Sequence, residues 1–131
     1  MQPKQTHLLI VDDERSSVSV LCSLLENFVN LHFASNAAEA FEIIENQHLD
    51  MVLLDVDLPD MSGFDTCRQI KQTEGLIDTP VIFLSGYGDL IFEIQAFESG
   101  AIDYVTKPVS PVRLMLRINA HLNLKLPIPG V

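Results

Sequence analysis

Short apolar runs alternate with amphipathic stretches along the whole chain. Residues 8–11, 51–54, 81–84 and 102–105 are nearly continuous in apolar side chains, the pattern of strands covered on both faces. Residues 31–34 are weaker, because His32 interrupts them, and this suits a sheet edge. Between the runs, apolar residues recur at helical spacing. Val18, Leu21, Leu25 and Phe28 share one face. Ala37, Phe41 and Ile44 share the next, with Asn36 and Glu39 as a cap pair. Phe64, Cys67 and Ile70 follow Ser62, an N-cap with Asp65 three residues on. Leu90, Ile94 and Phe97 follow Asp89 and stop at Gly100. Leu114, Ile118 and Leu122 follow Ser110 and Pro111, a cap and a first-turn proline.

Five strands and five helices in strict alternation predict an α/β domain. Its parallel sheet carries helices on both faces. Right-handed crossovers favour the doubly wound, flavodoxin-like strand order 2-1-3-4-5. The 131 residues suffice for one domain. That domain is expected over residues 1–126. Prolines and a glycine near the end mark residues 127–131 as a tail or the start of a linker.

Composition narrows the class. Apolar residues at 47% and charged residues at 20% exclude a disordered chain. The formal charge of −10 disfavours nucleic acid and anionic membranes as partners, and suits a cation or a basic surface. No apolar run approaches a membrane span, and residues 1–7 do not resemble a signal peptide. Cys22 and Cys67 do not form a disulfide framework. A reduced, cytoplasmic domain is the expectation. His7, His32, His48 and His121 show no metal-ligand spacing and read as structural or exposed.

In open parallel sheets, ligands bind beyond the carboxyl ends of the strands. After the first strand come Asp12, Asp13 and Glu14; after the third, Asp55 and Asp57. After the fourth come Ser85 and Gly86, and after the fifth, Thr106, Lys107 and Pro108. The expected topology gathers these on one rim. Three carboxylates there repel one another, and a divalent cation with hard oxygen ligands, Mg²⁺, removes the conflict. A metal-bound carboxylate beside a lysine is a good phosphoryl acceptor, and a hydroxyl such as that of Ser85 can hold a phosphoryl oxygen.

These residues resemble the receiver domains of two-component response regulators. The likeness runs from about His7 to Leu126. It is carried by Val11-Asp12-Asp13-Glu14, Leu54-Asp55-Val56-Asp57-Leu58-Pro59 with Met61 and Gly63, Leu84-Ser85-Gly86, and Asp103-Tyr104-Val105-Thr106-Lys107-Pro108. The resemblance implies a signalling switch rather than a turnover enzyme. Asp55 would accept the phosphoryl group from a sensor histidine kinase or phosphotransfer protein, and its acyl phosphate would hydrolyse slowly. Asp12, Asp13, Asp55 and the backbone carbonyl of Asp57 would hold Mg²⁺. Ser85 and Lys107 would contact the phosphoryl group. Tyr104 would switch with Ser85, outward when unmodified and inward after phosphorylation. Pro59, Gly63, Gly86 and Pro108 would shape the loops, with a cis bond before Pro108.

The surface of the fourth helix, fifth strand and fifth helix would then change shape. Ile91, Phe92, Met115, Leu116 and Leu124 exceed one core stripe, which suits a homodimer or an output domain on helices 4 and 5. The end of the fifth helix is similar to receivers preceding cyclic-dinucleotide enzymes or lying in hybrid kinases, so a larger regulator is expected. Gly86 stands where many relatives have alanine. Two rival readings fit the residues less well. A haloacid-dehalogenase-type phosphatase would use Asp55 and Asp57 but leaves Asp12 and Asp13 unexplained. A flavodoxin-like FMN carrier would need a phosphate-binding loop where this chain has acids.

Overall fold

The computed structural model describes residues 5–128, apart from the side chain of Ser17. The elements run β1 (His7–Val11), a short 3₁₀ turn (Arg15–Val18), α1 (Ser19–Leu25), β2 (Asn30–Ala34), α2 (Ala37–Asn46) and β3 (Met51–Asp55). They continue with α3 (Gly63–Gln72), β4 (Val81–Ser85), α4 (Leu90–Glu98), β5 (Asp103–Thr106) and α5 (Pro111–Leu122). The five strands are parallel, in the order β2-β1-β3-β4-β5.

The apolar runs are buried on both sides because successive strand residues face opposite layers. Leu8, Ile10, Leu53 and Ile82 pack with α1 and α5. Leu9, Val11, Val52, Leu54 and Phe83 pack toward α2, α3 and α4. Helix starts follow local chemistry. Asn36, Ser62 and Ser110 each accept a hydrogen bond from the backbone N–H three residues on. Gly100, just past α4, has φ of 107°, which a side chain would resist.

Three details differ from expectation. The first helix opens as a 3₁₀ turn and ends at Leu25, so Phe28 lies beyond it. In α4 the stripe Leu90, Ile94 and Phe97 faces solvent, while Ala96 is buried and Phe92 is half-buried against the core. After α5 the chain reverses instead of extending the helix. Asn123 takes the left-handed conformation. Asn119 then holds the Leu126 backbone through both its amide oxygen and nitrogen. Leu124 and Leu126 are buried against the α1–α5 layer. Residues 129–131, part of the expected tail, lie outside the described residues.

At the far end of the sheet from the carboxyl rim, His7 Nδ1 lies 2.9 Å from His32 Nε2. The structural reading of both histidines fits this hydrogen bond. Burial and the neighbouring His7 hold His32 below its ordinary pKa. The unfolded chain therefore takes up a proton on His32 near its ordinary value, and the folded chain only at lower pH. This contribution to stability is complete above about pH 6.5 and is lost as pH falls below it. His32→Gln is expected to lose less stability between pH 7.5 and 5.5 than the wild type in urea melts. An equal loss in both proteins would refute this.

Candidate functional site

Register brings the site together. Val11 pairs with Leu54, Asp55 with Leu84, and Ser85 with Thr106. Asp12–Asp13, Asp55, Ser85 and Lys107 therefore emerge side by side from four adjacent strand ends. Asp12, Asp13 and Asp55 each present an oxygen within 4.8 Å of the others. Asp12 and Asp55 are buried, whereas Asp13 is exposed. Lys107 Nζ lies 2.8 Å from Asp12 Oδ2 and 3.4 Å from Asp55 Oδ2.

The charges are unbalanced. Burial pushes the Asp55 carboxyl up, Lys107 pulls it down and Asp12 pushes it up again; the balance lies at about 6. Burial pulls the Lys107 ammonium down, yet Asp12 and Asp55 together hold it above its ordinary value. This is the conflict expected of clustered acids. Three hard oxygen donors suit Mg²⁺ rather than a thiophilic metal.

The loops are equally constrained. Lys107 precedes Pro108 through a cis peptide bond, and its N–H donates to the Ser85 carbonyl at 2.7 Å. Ser85 is fully buried, and its hydroxyl accepts from the Tyr87 N–H at 3.0 Å. The half-buried Tyr104 ring packs near Phe83, and its hydroxyl donates to the Tyr87 carbonyl. Asp57 and Pro59 sit exposed on the loop after β3. Gly63 closes that loop, donating to the Val56 carbonyl. A Cβ at Gly86 would meet nothing within 4 Å.

Sequence reading ties Tyr87 to the lifetime of the acyl phosphate, by its place two residues past Ser85, and leaves Asp60 without a role. Tyr87 stacks on Phe92 with centroids 4.3 Å apart, and the neighbouring Asp57 carboxylate pushes its phenol upward. Asp60 leaves the loop to reach the start of α2. The sequence carries no signal for the Asp60 contact, beyond its closeness to Asp55.

Residues 8–119 match the model of the response regulator receiver domain. The chain belongs to this family. A Vibrio cholerae protein named "Probable cyclic di-GMP phosphodiesterase" is 38% identical over 92% of this chain and 27% of its own length. The transcriptional regulatory protein YvrH of Bacillus subtilis is 37% identical over 88% of this chain and 48% of its own. This receiver thus spans about a quarter to a half of the curated relatives it matches. Among solved structures, the BeF3-activated receiver domain of DrrB, a Thermotoga maritima protein, superposes with a TM-score of 0.83 at 31% identity. That match covers 92% of this chain and 99% of the other.

The chain is a receiver domain of two-component signalling. Receivers bind Mg²⁺ at an acidic pocket, and the aspartate cluster here is of that kind. They are typically phosphoacceptors for histidine kinases or phosphotransfer proteins, not turnover enzymes. The phosphatase reading is not favoured. Among the described residues, no helix is long and apolar enough to cross a membrane.

Proposed function

We propose that Asp55 is the residue that accepts the phosphoryl group. The convergence of Asp12, Asp13 and Asp55 with Lys107 at one rim supports this most directly. A carboxylate oxygen of Asp55 attacks phosphorus in line. The P–O bond forms as the bond from phosphorus to the donor's imidazole nitrogen breaks, and the electron pair stays on that nitrogen. Asp12, Asp13, Asp55 and the Asp57 carbonyl would hold Mg²⁺. When bound, it would neutralise charge developing on the phosphoryl oxygens. Lys107 moves from its carboxylate partners toward the new phosphoryl oxygens. Ser85 gives up its contact with the Tyr87 N–H to donate to one of them, and Tyr104, bonded to the Tyr87 carbonyl, follows that loop.

The response then reaches the face of α4, β5 and α5. Leu90, Ile91, Ile94, Phe97, Ile102 and Leu116 are exposed there, which suits a second copy or an output domain. The relatives' names support a larger regulator with a cyclic-dinucleotide or transcriptional output. The docked exit of α5 does not favour an unbroken helical linker.

Intact-mass spectrometry after incubation with acetyl phosphate, with and without Mg²⁺, tests the reading. A single Mg²⁺-dependent phosphoryl adduct is expected. Lys107→Ala is expected to separate uptake from response. The α4–β5–α5 amide shifts seen on phosphorylation of the wild type should be absent from the labelled variant. Unchanged shifts would remove the role given to Lys107.

A further inference from the structure

We infer that Asp60 is a positioning residue for the phosphoacceptor loop. It rests on the reading of Asp55 and Asp57 above and deepens it.

Asp60 lies on the loop between β3 and α3, yet both its oxygens leave that loop. Oδ1 accepts from the Ala37 N–H at 2.9 Å and Oδ2 from the Ala38 N–H at 3.0 Å. These are the first two amides of α2, which have no partner within the helix. The helix already has its own cap. Asn36 accepts from Glu39, and the Glu39 carboxylate accepts from the Ser35 N–H. Asp60 completes the set from 22 or more residues away. Both amides hold its carboxyl below the ordinary carboxylate range.

The consequence lies in the loop. Its base is closed, because the Gly63 N–H bonds to the Val56 carbonyl and Asp57 bridges to Ser62. Leu58, next to Asp57, packs in part against the core, but the tip at Pro59 and Asp60 is exposed. The two bonds from Asp60 moor that tip to a packed helix. Asp57 lies between the closed base and the moored tip. A metal ligand supplied by the backbone needs its peptide plane held still, since no side-chain rotamer can compensate for a shifted carbonyl. Asp60 therefore sets the strength of metal binding without touching the metal.

Calorimetric titration of Mg²⁺ into the whole chain tests this in three variants. Asp60→Ala frees the tip. Asp60→Asn keeps one carbonyl acceptor. Asn36→Ala weakens the same helix start without touching the loop. Thermal melts establish that each is folded. Asp60→Ala is expected to bind Mg²⁺ about fivefold more weakly, the scale of one or two net hydrogen bonds. Asp60→Asn should fall between it and the wild type. Asn36→Ala should bind as the wild type does. Wild-type affinity in Asp60→Ala overturns the inference. So does an equal loss in Asn36→Ala, which would reduce Asp60 to a helix cap. A wild type that binds no Mg²⁺ overturns the site reading itself, and this inference with it.

Discussion

Asp55→Asn is expected to take up no phosphoryl group from acetyl phosphate, whereas the wild type is expected to gain one adduct in Mg²⁺. The amide that replaces the carboxylate has no anionic oxygen to attack phosphorus. Asp13 is exposed and Asp12 is already bonded to Lys107 at 2.8 Å, so neither stands where Asp55 does. Label found elsewhere on the variant would move the acceptor to another residue. A second effect runs the other way. Asp55 titrates at about 6 in the fold, above its ordinary value. The folded state therefore holds that proton more tightly than the unfolded one, and stability falls as pH rises toward 7. The neutral amide escapes this penalty. In metal-free buffer at pH 7, Asp55→Asn is expected to be more stable by on the order of 2 kcal/mol. Urea denaturation reads it directly. A variant less stable than the wild type would show that the Lys107 contact outweighs the repulsion among the acids.

Gly63→Ala is expected to be the most damaging single-methyl addition near the site. A Cβ there would stand 2.1 Å from the Asp55 carbonyl oxygen, 2.8 Å from Val56 Cα and 3.0 Å from the Asp55 carbonyl carbon. All three are backbone atoms, so no rotamer change relieves the clash. Either α3 retreats or the end of β3 moves, and the latter carries the phosphoacceptor. A loss of about 3 kcal/mol is expected in denaturant melts, with slower phosphorylation by acetyl phosphate. Gly86→Ala is the control, since its methyl group would enter open space. It should stay within about 0.5 kcal/mol of the wild type. Equal stability of the two variants would mean that the contact at Gly63 relaxes without cost.

The parts of this receiver that a linear reading reaches are those where the cause is local. Strand runs at Leu9, Val52 and Phe83 declare burial on both faces because apolar residues occupy both phases of the strand. Caps at Asn36, Ser62 and Ser110 act over three residues. The rim of Asp12, Asp13, Asp55, Ser85 and Lys107 follows once alternation implies a parallel sheet. Helix α4 is the counterexample. Leu90, Ile91, Phe92, Ile94 and Phe97 place apolar residues around most of the helix, so periodicity does not select a face. Packing buried Ala96 and half-buried Phe92, and left the other apolar side chains of the helix in solvent.

The sequence alone thus determined the element order, the sheet class and the identity of the groups at the rim, because local periodicity and chain alternation carry that information. The tertiary structure decided which groups meet across long separations. Asp60 reaches α2, His7 meets His32, Tyr104 reaches Tyr87, and the chain after α5 folds back under Asn119. Each contact depends on distances between elements that are set by the packing of the whole core. A residue's own neighbours in the chain carry no record of them.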